Sequence, residues 1–365
     1  MNKSRKKQTV FVGVSGGVDS SVSAYLLKKA DYNVVGVFIR TWQPDFIECT
    51  WREERRDAMR VCAHLDIPFL ECDGEVAYKK GVADYMIEEY RQGRTPNPDV
   101  MCNREVKFGV FWQFAKDYGA DYIATGHYAR VSKKETANSK QRVLEMGVDT
   151  TKDQSYFLWT LTEKDLEHTL FPIGHLKKTE VRKIAAKIKL PTAAKKDSQG
   201  VCFLGPLNMK EFIEHYIPKK TGNVLDTKGN IIGTHDGAVF YTLGERHGFT
   251  ITKKSAIDKA YYVVAKNMKA NTITVSASTN NISNTGILQN NSIELIGVNW
   301  IHGLPKDGKE YTAQIRYHGE QVPCTVTSNK ANNVTVFFTK EILVSPGQSI
   351  VIYNKDVCVG GGIVK

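Results

Sequence analysis

Two patterns of hydrophobic residues divide the chain. Up to about residue 126, short apolar runs rich in β-branched residues alternate with amphipathic helical stretches. Strands are expected at residues 10–14, 34–39, 68–72 and 122–125, and helices at 21–29, 53–65, 76–92 and 105–118. This alternation is typical of a parallel sheet with helices on both faces, so we predict an N-terminal doubly wound α/β domain.

Beyond residue 150 the pattern changes twice. A helical stretch is expected over residues 154–216, with Val181, Ile184, Ala185 and Ile188 on one apolar face. After Pro218, turn residues separate short strands at 223–235, 238–243, 261–265 and 272–275, and again at 293–300, 311–317, 322–327, 334–338 and 349–353. We predict a catalytic domain over 1–217, including the helical part from about 151, a small β-rich domain over 218–282 and a β-barrel over 283–365.

Composition and charge narrow the class of protein. The 365 residues are 41% hydrophobic and 24% charged, and no stretch approaches 18 consecutive apolar residues. The short polar start does not resemble a signal peptide, so we expect a cytoplasmic protein without a membrane segment. Seven cysteines, odd in number and without metal-type spacing, argue against a disulfide scaffold or a zinc site. The formal charge of +11 favours a polyanionic partner such as nucleic acid.

A loop rich in glycine and serine follows the first predicted strand. It consists of Gly13, Val14, Ser15, Gly16, Gly17, Val18, Asp19, Ser20 and Ser21. Its glycines let the backbone approach an anion, and its hydroxyls and the following helix N-terminus supply donors, so it predicts a nucleotide site. No lysine follows the second glycine, which disfavours kinase-like transfer, and Asp19 stands where a carboxylate could hold Mg²⁺ against phosphates. An ordinary serine-capped turn is the alternative.

A second segment places a carboxylate close to a thiol. Prolines on both sides of Asn97 stiffen a loop that presents Asp99 and Cys102 together. A carboxylate raises the pKa of a neighbouring thiol, so we interpret Asp99 as a proton acceptor from substrate or as an orienting group. Lowering the pKa of Cys102 would need the helix N-terminus and a cation, for which Arg104 and Lys107 are the candidates. A buried cysteine at a helix start is the alternative.

Other candidate residues carry two interpretations each. Cys202, flanked by glycines, is either reactive or buried in a short apolar strand, whereas Cys62, Cys72, Cys324 and Cys358 are interpreted as buried and Cys49 stays undecided. His127 follows Gly126 at a strand end, where it is either structural or near the nucleotide. Asp153, between Lys152 and Gln154, is either a helix cap or part of a nucleic-acid contact. The basic residues that form either a solvated helix face or a phosphate-backbone contact are Lys177, Lys178, Arg182, Lys183, Lys187, Lys189, Lys195 and Lys196.

Three of these segments together carry a family resemblance. The loop from Ser15 to Ser21, Asn97-Pro98-Asp99 with Cys102, and Gly200-Val201-Cys202-Phe203 closely resemble the bacterial tRNA-specific 2-thiouridylases, the MnmA family. The first domain of that family is an ATP-pyrophosphatase of the PP-loop type. The resemblance covers nearly the whole chain, with later matches at residues 241–246, 315–317, 344–348 and 358–362. It implies that ATP adenylates the C2 oxygen of a wobble uridine, pyrophosphate leaves, and sulfur then replaces the activated oxygen with release of AMP.

The resemblance also implies a role for each matched residue. ATP would bind at Gly13 to Ser20, with Ile39 and Gly126 at its adenosine end, and Asn97, Pro98 and Asp99 would meet the target base. Cys202 would carry a persulfide and Cys102 would release or resolve its sulfur, leaving a Cys102–Cys202 disulfide to be reduced. The tRNA contacts would be His127, Lys152, Asp153, Gln154, Arg316, Tyr317 and Gln348. No resident metal is implied, since Mg²⁺ would arrive with ATP, near Asp19.

Partners and alternatives follow from the same resemblance. The implied partners are tRNA and a sulfur donor, either a cysteine desulfurase or a relay carrier. Two features depart from the family pattern. Ile39 replaces a methionine, and residues 244–253 stand where the family has Gly-Gln-Arg followed by a glycine-rich stretch, with Glu245 in place of the glutamine and Phe249 to Lys253 in place of the glycines. A similar loop occurs in GMP and argininosuccinate synthetases, which two cysteines in these settings fit poorly. An ATP-dependent amidating ligase of the same class and a non-catalytic tRNA-binding protein remain the alternatives.

Overall fold

The computed structural model describes residues 7–47, 51–136, 139–197, 200–205, 209–252, 260–277, 290–328 and 334–365. Its strands in chain order are β1 Thr9–Gly13, β2 Asn33–Arg40, β3 Phe69–Asp73, β4 Tyr122–Ala124, β5 Ala129–Thr136, β6 Ser139–Met146, β7 Thr169–Leu170, β8 Gly222–Leu225, β9 Ile231–His235, β10 Thr250–Ile251, β11 Tyr262–Asn267, β12 Thr272–Ser276, β13 Asn290–Trp300, β14 Glu310–Gln314, β15 Gln321–Ser328, β16 Val334–Ile342, β17 Ser349–Asn354 and β18 Val357–Val364.

The helices lie mainly in the first part of the chain. They are α1 Val18–Lys29, α2 Trp51–His64, α3 Glu75–Tyr78, α4 Tyr85–Arg91, α5 Pro98–Cys102, α6 Phe111–Asp117, α7 Glu163–Glu167, α8 Lys178–Lys187 and α9 Met209–Glu214. π-Helical segments at Lys79–Asp84 and Asn103–Val110 connect α3 to α4 and α5 to α6. Short 3₁₀ turns are found at Ser155–Leu158 and Ala238–Phe240. Among the described residues, no helix has both the length and the apolar character needed to cross a membrane.

The N-terminal sheet is parallel and has the strand order β3-β2-β1-β4-β7. The direction in which the chain adds strands reverses between β1 and β4, and open α/β sheets bind ligands at the carboxyl ends of strands on either side of such a reversal. The glycine–serine loop follows β1, and Gly126 follows β4. The predicted α/β domain is therefore confirmed, and both halves of its predicted nucleotide site meet at one crevice.

Burial on both faces of this sheet explains the continuous apolar runs in its strands. Val10 and Val12 of β1 pack in one hydrophobic cluster, and Phe11 packs in a second cluster on the other face. Successive strand residues point to opposite faces, so each run contributes to two cores. Val181 and Ala185 of α8 are buried in the first cluster, which confirms the apolar face predicted for that helix.

Two β-structures follow the parallel sheet. The central sheet has the order β10-β9-β8-β12-β11, and the C-terminal strands form a barrel of order β13-β16-β15-β14-β17-β18 closed by antiparallel pairing of β13 with β18. Glycines let the strands approach at the closure. An added Cβ would lie 2.1 Å from the Asn299 carbonyl oxygen at Gly360 and 2.5 Å from the Ile350 carbonyl oxygen at Gly361. The predicted barrel is confirmed. Its glycine-rich last strand, β18, was not predicted.

Some predicted elements are wrong, for physical reasons. The expected strand over residues 238–243 is a 3₁₀ turn, because Gly237 at φ 148° redirects the chain although the residues that follow it are buried and apolar. The expected helical stretch over 154–216 also contains β7 and several turns. The hairpin β5–β6 was not predicted; its strands carry many charged residues and gain a partner when β6 pairs with β18.

The barrel docks on the segment beside the crevice through backbone carbonyls. The amide of Asn299 donates to the carbonyls of Trp159 at 2.8 Å and Leu161 at 2.9 Å. The hydroxyl of Tyr156 donates to the Ser349 carbonyl at 3.0 Å. These bonds join buried or partly buried groups, and they hold the barrel against the segment that follows β6.

Candidate active site

A cavity of about 590 Å³ opens at the carboxyl ends of β1, β2 and β4. It is large enough for a nucleotide together with part of a second substrate. The predicted site residues that line it are Gly13, Val14, Ser15, Gly17, Val18, Asp19, Ser20, Ile39, Asp99, Gly126, His127, Lys152, Gln154, Cys202 and Tyr317. Those that do not line it, all of them described, are Gly16, Asn97, Pro98, Cys102, Asp153, Arg316 and Gln348.

The loop after β1 has the geometry of an anion cradle. The Ser15 amide donates to the Ser20 hydroxyl at 3.2 Å, and α1 begins after Gly17 without a side-chain cap. The first amides of α1 therefore keep their capacity to bind an anion. At Gly126 an added Cβ would lie 2.7 Å from the Ser20 nitrogen, so the end of β4 presses directly on the start of α1. These residues fit the phosphates of a nucleotide.

The two loop glycines have different tasks. Gly16 has a φ of 72°, and an added Cβ there would lie 2.7 Å from the Glu54 carbonyl oxygen of α2. Its missing side chain therefore serves a turn packed against a helix rather than an approach to the ligand. Gly17 instead lines the cavity and is the residue that immediately precedes α1.

Asp19 is held by a lysine from α8. The Lys178 ammonium donates to both carboxylate oxygens of Asp19, at 2.7 and 2.8 Å, and the Tyr128 hydroxyl donates to one of them at 2.9 Å. Lys178 also pairs with Asp197 at 2.8 Å. Burial acts to raise the pKa of Asp197, but hydrogen bonds from Lys178 and Lys152 lower it to about 2. Mg²⁺ could reach Asp19 only if this carboxylate exchanged its lysine for the metal.

Part of the basic run therefore faces acidic side chains. Besides Lys178, Arg182 pairs with Asp197, and Lys195 pairs with Asp57 at 2.9 Å. Lys178 is only 12% exposed, so the solvated-face interpretation is wrong for it, whereas Arg182 and Lys195 stay about one-third exposed. A phosphate-backbone contact stays a prediction for all three. Lys178 and Asp197 line the nucleotide cavity and were missed as site residues, although both belong to a charged stretch that the sequence displays.

The start of α5 brings Asp99 and Cys102 into the core. Asn97 caps the helix by accepting a hydrogen bond from the Val100 amide at 3.3 Å, and Pro98 occupies its first turn. Asp99 accepts a hydrogen bond from the Cys202 amide at 3.0 Å, across about a hundred residues of sequence. Burial raises the pKa of Asp99. Of its two predicted roles, this contact supports the orienting one.

The loop that carries Cys202 is held from three directions. The Tyr78 hydroxyl donates to the Cys202 carbonyl at 2.7 Å, and the Gln43 amide donates to the Phe203 carbonyl at 3.2 Å. Together with Asp99, these bonds stabilise a strained backbone in which Phe203 has a φ of 67°. Nothing in the sequence pattern pointed to Tyr78 or Gln43, since their partners are backbone groups far away in the chain.

The two candidate thiols are in contact and have opposite acidity. The Cys102 thiol hydrogen-bonds to the Cys202 sulfur; this bond, with the charge of Lys107, outweighs burial and lowers the pKa of Cys202 to about 7. Burial and the nearby Cys202 sulfur raise the pKa of Cys102 well above its usual range. The directions of these pKa shifts favour Cys202 over Cys102 as the sulfur that ionises first. Arg104, one sequence candidate for the activating cation, pairs with Glu105 at 2.6 Å.

The predicted tRNA contacts are dispersed. Asp153 is buried and accepts hydrogen bonds from the Gly147 amide at 2.7 Å and the Ser155 hydroxyl at 2.8 Å. Gln154 accepts from the Tyr128 amide at 3.0 Å. These bonds organise the chain around the 3₁₀ turn, so any tRNA contact by Asp153 would need this network to open.

The predicted contacts from the last domain lie at its junction with the rest of the chain. Arg316 donates to the Leu243 carbonyl at 2.8 Å, and Gln348 accepts from the Ser345 amide at 3.4 Å. Tyr317 packs on the Phe157 ring, with ring centres 4.3 Å apart, and both line the cavity. Tyr317 is thus the member of this set that the barrel delivers to the cavity wall.

The remaining cysteines are structural where they are described. Burial removes them from solvent and raises the pKa of each, as predicted for Cys62, Cys72, Cys324 and Cys358. Cys49, Ser198 and Gln199 lie outside the described residues. The structure contains Cys102 and Cys202 as free thiols.

The fold and the cavity define a nucleotide-binding α/β protein of the PP-loop type, extended by two β-domains and equipped with a pair of thiols. Family models match accordingly: a "tRNA methyl transferase HUP domain" over residues 8–206, a "tRNA methyl transferase PRC-barrel domain" over 210–277 and an "Aminomethyltransferase beta-barrel domain" over 290–364. Full-length relatives then give the particular family. The chain belongs to the tRNA-specific 2-thiouridylase (MnmA) family.

Two relatives illustrate the match. The tRNA-specific 2-thiouridylase MnmA of Buchnera aphidicola is 42% identical over 375 residues, covering 100% of this chain and 98% of that protein. The protein of the same name from Bacillus subtilis is 40% identical over 370 residues, covering 100% and 96%. Among solved structures, a 4-thiouridine synthetase–RNA complex with bound ATP is 21% identical with a TM-score of 0.35, covering 58% of this chain and 50% of that one. That similarity is too low to carry an argument.

Proposed function

We propose that this protein uses ATP to replace the C2 oxygen of a wobble uridine in tRNA by sulfur. The observation that carries the proposal is that Cys202, which lines the same cavity as the phosphate cradle, is in contact with the buried Cys102. A carbonyl oxygen leaves only after activation, and sulfur must arrive on a polarizable carrier, so this chemistry needs a nucleotide site and a thiol pair together. The full-length relatives named for uridine thiolation support the same reaction.

The activation step would take place at the cradle. The uridine C2 oxygen attacks the α-phosphorus of ATP, the bond to the β-phosphate oxygen breaks, and pyrophosphate leaves. The amides at the start of α1 and the hydroxyls of Ser15 and Ser20 would hold the phosphates. Mg²⁺ carried by ATP would neutralise charge on the pyrophosphate, and the ammonium of Lys178 is in place to do the same after it parts from Asp19.

The sulfur step would use both thiols, and its electrons balance. A persulfide on Cys202 contributes its outer sulfur to C2, where it displaces AMP. The Cys102 thiol then gives up its proton to water, and its sulfur attacks the inner sulfur of Cys202. This breaks the sulfur–sulfur bond, leaves the outer sulfur on the base and forms a Cys102–Cys202 disulfide. In this way one sulfur is reduced and two thiols are oxidised, and an external thiol must return two electrons before the next cycle. Whether the sulfur first leaves as hydrosulfide or attacks while attached to Cys202 does not change this balance.

Two partners follow from this chemistry. A base in a stacked anticodon must leave the stack to reach the cavity, at a cost of about a few kcal/mol that phosphate contacts can offset. The net charge of +11 would favour those contacts. The second partner is a protein persulfide, from a cysteine desulfurase or a relay carrier, which must present its sulfur to Cys202.

A single reaction tests the proposal. The protein is incubated with ATP, Mg²⁺, a persulfide donor and unmodified tRNA, and the digested tRNA is examined for 2-thiouridine by mass. We expect product from the unaltered chain, and none from Cys102→Ser although that variant still binds tRNA. Thiolated product from the variant would contradict the role of Cys102. AMP formation with ammonia and without dependence on Cys202 would indicate an amidating ligase, and tRNA binding without ATP cleavage a non-catalytic protein.

A further inference from the structure

Lys107 belongs to the π-helical segment that follows Cys102, and it lines the cavity beside Cys202. We propose that Lys107 is the fixed counter-ion of the sulfur at Cys202 and that His127, as a neutral hydrogen-bond acceptor, holds the lysine there. The inference deepens the proposed function, because it assigns the residue that prepares Cys202 to receive sulfur. Lys107 shares the cavity with the reacting sulfur and acts on it through its charge, whereas His127 acts through Lys107 and is a positioning residue.

The contacts of Lys107 leave it few alternative positions. Its ammonium lies 3.5 Å from Nε2 of His127 and 5.7 Å from the ring centre of Phe203, the residue after Cys202. Lys107 and Cys202 line the same cavity, and the charge of the ammonium acts on the Cys202 sulfur. Burial lowers the pKa of this ammonium, but the negative charge of the nearby cysteine sulfurs raises it by more, so the pKa of Lys107 is raised on balance.

The other groups around Cys202 cannot supply the positive charge. Cys102 and Asp99 face it from α5, and the Tyr78 hydroxyl binds its carbonyl. Asp99 carries negative charge when ionised and disfavours a thiolate, while Cys102 and Tyr78 are neutral donors whose own pKa values are raised. Lys107 is therefore the positive charge among the described groups that act on this sulfur.

The tautomer of His127 follows from its two partners. An ammonium can only donate, so Nε2 must accept from Lys107, and the ring proton must lie on Nδ1, which donates to the Thr125 hydroxyl at 2.6 Å. Burial and the charge of Lys107 lower the pKa of His127 well below its usual range, which keeps the ring neutral. His127 is only 6% exposed. Thr125, His127 and Lys107 thus form a chain of hydrogen bonds that ends at the ammonium in the cavity shared with Cys202.

This arrangement has a chemical consequence for loading. The Cys202 thiolate attacks the outer sulfur of a donor persulfide, a bond forms between the two sulfurs, and the donor leaves as a thiolate. The negative charge then moves outward by one sulfur atom, and Lys107 remains within the same cavity to balance it. Without the lysine, the hydrogen bond from Cys102 would be left to oppose burial, so a smaller fraction of Cys202 would be ionised at neutral pH.

The test measures alkylation of Cys202 by iodoacetamide as a function of pH, with each cysteine followed separately by peptide mass. It needs neither ATP nor tRNA, so its failure is distinct from a failure of the thiolation assay. For the unaltered chain we expect a midpoint near the pKa of about 7. Lys107→Met should move the midpoint up by about one pH unit or more, which at pH 7 lowers the thiolate fraction about fivefold or more. Lys107→Arg should retain most of the effect.

Matched variants exclude indirect effects. Arg104→Met removes a neighbouring cation that pairs with Glu105, and it should leave the midpoint unchanged. His127→Phe keeps the ring but removes the acceptor, and it should raise the midpoint by a smaller amount than Lys107→Met. Cys62 and Cys358, which are buried, report folding because they resist alkylation in an intact protein.

Two results would overturn the inference. The first is a Lys107→Met midpoint equal to that of the unaltered chain while Cys62 and Cys358 stay protected. The second applies if Lys107→Met does not fold: a folded His127→Phe variant with an unchanged midpoint then shows that the lysine is not held by His127 for this purpose.

Discussion

Gly126→Ala tests whether the close approach of β4 to α1 forms the nucleotide site. An added Cβ would lie 2.7 Å from the Ser20 nitrogen and 2.9 Å from the Asp19 carbonyl carbon, both backbone atoms that cannot rotate away. Ordinary contact begins at 3.4 Å, so the strand end and the helix start must separate by about 0.7 Å. A misplacement on the order of 1 Å costs about 100-fold in rate, and overpacking costs about 1–3 kcal/mol of stability. We expect a loss of tRNA-dependent pyrophosphate release on this scale.

The assay combines ATP binding by calorimetry, pyrophosphate release and thermal unfolding. Gly119→Ala is the matched control: it has open space around an added Cβ but a φ of 80°, so an alanine there is strained without approaching the cavity. It should lose about 1 kcal/mol of stability and keep its affinity for ATP. If Gly126→Ala loses stability to the same extent as Gly119→Ala and releases pyrophosphate at the unaltered rate, the added methyl group does not displace the nucleotide site and the reasoning is wrong.

Two further substitutions test the support of Cys202. Asp99→Asn keeps an acceptor for the Cys202 amide and removes a carboxyl whose pKa burial raises. Because its folded pKa is raised, the stability that Asp99 contributes is complete below its unfolded pKa of about 4 and is lost as pH rises through the folded pKa. The variant should therefore unfold at a higher temperature than the unaltered chain at pH 7 but not below about pH 4. An equal or lower unfolding temperature at pH 7 would contradict this. Tyr78→Phe removes the hydrogen bond to the Cys202 carbonyl and should cost about 1 kcal/mol in chemical denaturation, whereas the exposed Tyr118→Phe should change little; equal effects of the two would refute the role of Tyr78.

Sequence reasoning succeeded where the chemistry is contiguous. The cradle is a single loop between a strand and a helix, and the N-cap at Asn97 lies within one turn of Asp99, so local patterns contained the needed information. The position of Gly126 could be predicted because parallel strands end on the same side of a sheet. Each of these inferences required only the direction of one or two strands.

It failed where a side chain reaches a distant backbone group or an opposite charge. Lys178 was grouped with other basic residues, and only the packing of α8 beside α1 shows that it holds Asp19. Tyr78 contacts a carbonyl more than a hundred residues away, and no pattern marks such a partner. The choice between Arg104 and Lys107 depended on which face of a π-helical segment turns inward.

Burial imposes conflicting demands on this site. An adenylated base must be protected from water, which favours an enclosed cavity, but enclosure raises the pKa of a thiol and suppresses the nucleophile that the sulfur step needs. The two sulfurs differ in how burial affects them. The charge of the Lys107 ammonium helps to lower the pKa of Cys202, whereas Cys102 stays protonated and donates a hydrogen bond to the Cys202 sulfur. In the proposed reaction, loading Cys202 with sulfur moves the negative charge off its Sγ and weakens that acceptor. Cys102 then becomes free to attack only after sulfur is present, so the hydrogen bond between the thiols would order the two steps.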